Sequence, residues 1–173
     1  MTRLKETSTP PKKSIIMDAN IVIDFFDVKP EFLGLTVNYF APIYVIKNVL
    51  EETKNIDINK LLSFGVIILE TKIPDSFNDY KKTLSMTDRL CLLTAKQYDR
   101  VCATNDKALR KSCEREGVPV IRCLKLVFEL CNAEVIKKDE AVAFARALNK
   151  TNPYFTDDII KTFFDSIFNI DIK

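Results

Sequence analysis

The sequence predicts an α/β domain, a parallel central sheet flanked by helices, with a helical extension toward its C-terminal end. Three observations lead there. Short β-branched apolar runs alternate with longer amphipathic stretches through the first two-thirds of the chain, acidic residues stand directly after several of those runs, and beyond them only helical patterns remain.

The elements read in order as follows. Residues 1–13 are polar and basic, carry the Pro10-Pro11 pair and lack apolar periodicity, which is the composition of a disordered leader. Folding is expected to begin near Ser14. Residues 14–17 (SIIM) suit a buried strand ending at Asp18, and 20–26 (NIVIDFF) a helix. The runs 43–46 (IYVI), 65–69 (GVIIL), 101–104 (VCAT) and 118–121 (VPVI) are bounded by polar or turn residues and read as central strands. Helical patterns fall at 48–53, 58–64, 75–84, 86–98 and 107–116, the last closed by Gly117. Parallel neighbours need crossover connections, so this alternation implies a parallel sheet covered by helices. Helices are expected again at 124–133, 139–149 and 156–170, with Thr156 as the cap of the last and Asp157 and Asp158 in its first turn. The division is therefore a leader over 1–13, the main domain over 14–131, and C-terminal helices over 132–173 packed on the same domain.

Composition narrows the chemistry. The chain has 173 residues, 47% of them hydrophobic, which suits one well-buried core, and a formal net charge of +2, which announces no overwhelming basic field. It contains no histidine. That removes imidazole bases, Ser-His-Asp and Cys-His nucleophile systems and histidine-containing zinc sites. The three glycines form no phosphate-cradling loop, so no nucleotide cofactor is expected. The five cysteines show no CxxC spacing and read as reduced core residues. Without a secretory signal or an apolar stretch of membrane-spanning length, the expected setting is the cytoplasm, away from membranes.

The acids carry the functional signal. In an open parallel sheet, ligands collect at the carboxyl ends of the strands. Asp18 closes the first strand, Glu52 follows IYVI, Asp106 follows VCAT by one residue, and Asp88 opens a helix marked by Ser85. Singly, each has a structural explanation: Asp18 and Asp106 as helix caps, Glu52 as a solvated helix charge beside Glu51, Asp88 as half of an S-x-x-D capping box. Together, four converging carboxylates would repel unless a cation sat among them, and oxygen donors select magnesium or manganese.

Four motifs carry a resemblance: IIMDANIVID, VLEET, SMTDRLCLLTAK and CATNDKALRKSCEREGVPVI. With their strand and helix context they resemble a PIN domain, the nuclease family that includes the VapC-type toxins of toxin-antitoxin pairs, over roughly residues 14–123. The resemblance implies a PIN-like α/β/α sandwich and Mg²⁺- or Mn²⁺-dependent hydrolysis of RNA phosphodiester bonds. It makes Asp18, Glu52, Asp88 and Asp106 the catalytic metal ligands, with Glu51 in reserve for Glu52. Asn20, Thr104 and Ser85 would steady those acids. Lys107 and Arg110, on the helix after Asp106, would hold the substrate phosphate. The implied partners are an RNA substrate, a protein antitoxin and a second copy of the chain as a homodimer. The last helix, with Ile159, Ile160, Phe163, Phe164, Ile167 and Phe168 in one apolar stripe, must bury that stripe against the core, a copy or an antitoxin.

Two other classes compete. A catalytically inactive PIN fold could serve as an RNA- or protein-binding module, though inactive members commonly lose some of the four acids. A phosphotransferase of the haloacid dehalogenase class also places an aspartate after its first strand, but needs a second acid where this chain has Asn20.

Overall fold

The computed structural model describes residues 13–40, 42–53, 55–73, 77 and 84–170. All of the expected leader but Lys13, and most of the expected helix at 75–84, lie outside the described residues. Five short strands form one all-parallel sheet: β1 (Ile15–Met17), β2 (Ile43–Ile46), β3 (Ile67–Leu69), β4 (Val101–Ala103) and β5 (Val120–Ile121). Their order is β3-β2-β1-β4-β5. The chain builds outward from β1 on one side, then returns to pair β4 on its other side. The carboxyl ends of β1 and β4 therefore border the point where the winding reverses, the place where such sheets bind ligands.

The sequence explains which strands lie inside. All three residues of β1 are buried, as a strand covered on both faces requires. The β3 and β5 runs, expected to be central, are instead the two edges, and their side chains are only partly covered. Apolar composition marked these runs as strands but could not place them in the sheet.

Helices cover the sheet: α1 (Ala19–Val28), α2 (Glu31–Tyr39), α3 (Lys47–Glu52), α4 (Ile58–Ser63), α5 (Met86–Gln97), α6 (Lys107–Arg115), α7 (Cys123–Asn132), α8 (Lys138–Thr151) and α9 (Asp157–Phe168). Helix α2 carries no clear sequence signal, because Gly34 and β-branched residues weaken its intrinsic preference. Tertiary packing holds it, with Phe32, Leu33 and Thr36 buried. At Gly34 a Cβ would come within 2.9 Å of the Phe64 ring, so a larger residue would push α2 away from that ring. Gly117 closes α6 at φ +69°, the left-handed conformation expected there.

The C-terminal helices share the domain's core. Phe144 of α8 lies 5.2 Å from the Phe32 ring and 5.5 Å from the Phe25 ring, which ties α8 to α1 and α2. On α9, Ile160, Phe163 and Ile167 are buried, whereas Phe168 is 65% exposed, so the apolar stripe is narrower than its sequence suggests. Thr156 occupies the cap position of α9 without a side-chain capping bond. All five cysteines are free and buried. Among the described residues no helix is long and apolar enough to cross a membrane.

Candidate active site

Asp18 is the floor of the site. It follows β1, its backbone N–H continues the β1–β4 pairing by donating to the Ala103 carbonyl at 3.0 Å, and its carboxylate is 2% exposed. That pairing brings Thr104 alongside. Thr104 Oγ1 donates to Asp18 Oδ2 at 2.8 Å and accepts from the Asp106 backbone N–H at 3.1 Å. One buried hydroxyl thus fixes the first acid and the turn that carries the last. Asn20 reaches the same Asp18 oxygen more distantly, at 3.5 Å.

Asp106 caps α6, with Oδ1 accepting from the Leu109 N–H at 2.7 Å. Asp88 sits in the first turn of α5 in the expected capping box: its N–H donates to Ser85 Oγ at 3.0 Å, and its Oδ2 accepts from the Ser85 N–H at 3.3 Å. The structural and functional readings of these two acids coexist, because a cap engages only part of a carboxylate. Glu52, at the last turn of α3, is exposed on the rim and accepts a hydrogen bond from Thr87 Oγ1. Glu51, its neighbour, is also exposed.

Electrostatics record how near the acids stand. Burial pushes the Asp18 carboxyl up to about 6, against the lowering hydrogen bond from Thr104, and the charges of Asp88 and Asp106 push it further. Asp88 is raised as well, first by burial and then by Asp106 and Glu52, with the Ser85 bonds opposing. Cys91, beneath them on α5, is held neutral by burial and by Asp18, Asp88 and Glu52. Asp18 feels the charges of Asp88 and Asp106, and Asp88 those of Asp106 and Glu52; among the described residues none of the four forms an ion pair with lysine or arginine. They are not drawn into a closed cage: among the described residues no three acids or thiols are grouped closely enough to hold an ion.

Of the expected phosphate-binding residues, Lys107 is exposed at the start of α6. Arg110 is half-buried, and its Nε finds no hydrogen-bond partner among the described residues. Three further polar residues have no expected role from sequence. Thr87 holds Glu52, as above. Asp24, on α1, and Asn105, between Thr104 and Asp106, are both buried and bonded to each other. Asp24 lies six residues beyond Asp18 inside an apolar pattern, and that interruption was the available signal.

Among solved structures the chain is similar to a PilT N-terminus (PIN) domain protein from the hyperthermophilic archaeon Sulfolobus solfataricus, with a TM-score of 0.50 at 16% identity, covering 65% of this chain and 89% of that one. The fold is PIN-like. No family model and no curated protein matches the chain. At this identity the likeness shows the fold alone.

Proposed function

We propose that the chain is a metal-dependent ribonuclease acting at the edge formed by Asp18, Glu52, Asp88 and Asp106. The observation that carries the reading is the buried Asp18 carboxylate at the winding reversal of the sheet, which has no cationic partner among the described residues and feels the charges of Asp88 and Asp106. Burying a carboxylate among like charges is destabilising, and such an arrangement is retained where it serves a site.

The donor set fits a hard divalent cation, since every candidate ligand is a carboxylate and their repulsion is the kind a cation relieves. Asp18, Asp88, Asp106 and Glu52 would hold Mg²⁺ or Mn²⁺, which when bound supplies Lewis-acid activation of water and offsets charge on the phosphate. The remaining roles belong to the chain. Thr104 fixes the Asp18 carboxylate in one orientation and keeps the Asp106 turn in register with it. Thr87 holds Glu52 toward the site from α5. Lys107 and Arg110 present positive charge beside Asp106 for the backbone of the substrate.

The competing reading, a PIN fold that binds RNA or protein without cutting, draws support from the open spacing of the acids. One experiment separates the two. Purified protein is incubated with mixed single-stranded and structured RNA in Mn²⁺ or Mg²⁺, with and without chelator, beside Asp18→Ala and Asp106→Asn. Metal-dependent cutting lost in both variants supports the nuclease; cutting that persists equally in both removes the site. RNA binding without cutting favours the binding module. A toxin role and a protein antitoxin belong to this proposal through the family resemblance alone.

A further inference from the structure

A pocket of about 540 Å³ lies between α5 and the segment leaving β3, within the range of roughly 300–1,000 Å³ usual for small-ligand sites. Its charged end is Arg100, just past the last turn of α5, whereas Asp88 sits in the first turn. At 1.5 Å per residue the helix puts roughly 18 Å between those ends, so this is a place apart from the acids.

Arg100 is held firmly and left without an acceptor. Asp99 adopts the left-handed conformation at φ +48° after α5, the Asp99 N–H donates to the Lys96 carbonyl at 3.4 Å, and the Arg100 N–H donates to the Ala95 carbonyl at 2.8 Å. This double closure of the helix end fixes the Arg100 backbone. Its guanidinium then lies over the ring of Tyr44, 3.7 Å from the centroid, and over that of Tyr98 at 4.8 Å. Ring faces meet the charge but none of the N–H donors, which point outward in the guanidinium plane. Nη1 is buried with no hydrogen-bond partner, and among the described residues the side chain makes no hydrogen bond or ion pair at all.

The nearby acids are engaged elsewhere. Glu70, in the pocket wall, pairs with Lys47 at 2.9 Å, and Asp99 pairs with Lys13 at 2.7 Å. Two further donors line the pocket unpaired among the described residues: the Thr71 hydroxyl, buried without a partner, and the exposed Lys72 ammonium. Apolar surface within reach comes from half-buried Leu69 and from Tyr98, which is 53% exposed.

We propose that this pocket binds a small organic phosphate monoester, its phosphate on Arg100 and its body on Leu69 and Tyr98. A guanidinium fork alone satisfies the two oxygens of a carboxylate; Thr71 and Lys72 add donors for the third oxygen that only a phosphate carries. The site is independent of the ribonuclease reading, since it uses none of the four acids and neither Lys107 nor Arg110.

The test is isothermal titration of the full-length protein, in chelator, with phenyl phosphate, benzoate and inorganic phosphate. Phenyl phosphate should bind most tightly: benzoate lacks the third oxygen, and inorganic phosphate has no body to lay on Leu69 and Tyr98. Arg100→Gln should weaken phenyl phosphate binding by at least about tenfold, the scale of a lost hydrogen bond to a charged group. Lys72→Glu, a reversal at an exposed position, should weaken it by about threefold or more. Thermal melting verifies that each variant folds, and if Arg100→Gln does not, Lys72→Glu decides by itself. No binding of phenyl phosphate, benzoate or inorganic phosphate binding as tightly, or unchanged affinity in folded Arg100→Gln would overturn the proposal. Cleavage of RNA plays no part in this readout, so the result stands whether or not the chain proves to be a ribonuclease.

Discussion

Asn105 donates its side-chain amide to Asp24 Oδ2 at 2.7 Å, joining the turn after β4 to the middle of α1. The other Asp24 oxygen accepts from Asn152 at 2.9 Å, and Asn105 Oδ1 accepts from the Cys123 backbone N–H at 3.2 Å. Four segments of the chain meet on two buried side chains: α1, the Thr104–Asp106 turn, the start of α7 and the end of α8. Burial pushes the Asp24 carboxyl up to about 6 against the lowering bonds from Asn152 and Asn105, and nearby Asp27 pushes it further.

Asn105→Ala removes one donor from Asp24 and strands the Cys123 N–H. Each buried group left without a partner costs about 1–3 kcal/mol, so the variant should lose roughly 2–4 kcal/mol of stability. Urea denaturation followed by circular dichroism checks this. A loss under about 0.5 kcal/mol, the scale of ordinary surface substitutions, would mean the network does not hold these segments.

Asp18 ties stability to pH in a definite direction. Its folded-state pKa of about 6 lies above the ordinary 3.8, so between those values the folded chain binds protons that the unfolded chain has released. Stability from this group therefore falls as pH rises through that window and stays low above it. Asp18→Asn relieves the buried charge and should stabilise the protein near pH 7.5 by roughly 2–3 kcal/mol, at about 1.36 kcal/mol per pKa unit. It should also reduce the rise in melting temperature that added Mn²⁺ gives the wild type. A melting temperature below wild type at pH 7.5 would show that Asp18 is structural.

Thr104 separates geometry from mere packing. Thr104→Ser keeps the hydroxyl that donates to Asp18 and accepts from Asp106, while Thr104→Val keeps the shape and loses both bonds. Partners of this kind commonly matter by about 10–100-fold in activity or metal affinity. The expected result is a fall of that size in metal-dependent RNA cleavage for Val and near-normal cleavage for Ser. Similar rates in both would assign Thr104 a structural place only.

Much of this site was legible in the chain because its acids coincide with boundaries of secondary structure. Asp18 ends an unbroken apolar run, and Ser85 and Asp88 form a capping box from local bonding alone. The Asp106 carboxylate likewise caps its own helix, accepting from a backbone N–H three residues onward. The residues that escaped bond across long separations: Asn105 to Asp24 over 81 positions, Asn152 to Asp24 over 128, and Thr87 to Glu52 over 35. No local pattern encodes such partners. The sheet was legible for a related reason, since strand identity follows composition while strand order follows from which connection crosses back. That is why β3 and β5 were recognised as strands and misplaced as central.

Phe144 tests whether the C-terminal helices and the PIN-like sheet layer form one cooperative unit. Its ring lies nearly parallel to Phe32, at an interplanar angle of 15°, and tilted against Phe25, and it is 2% exposed. Truncating a buried phenylalanine leaves a cavity and costs about 3–5 kcal/mol. If α8 and α9 belong to the same core as α1 and α2, Phe144→Ala should lower stability by that amount within a single transition, seen alike by circular dichroism and tyrosine fluorescence. If the helices are an independent layer, the two probes should separate, with an early loss of helix signal preceding the main transition. A wild-type midpoint would mean that the aromatic contact between α8 and α1–α2 contributes nothing to the fold.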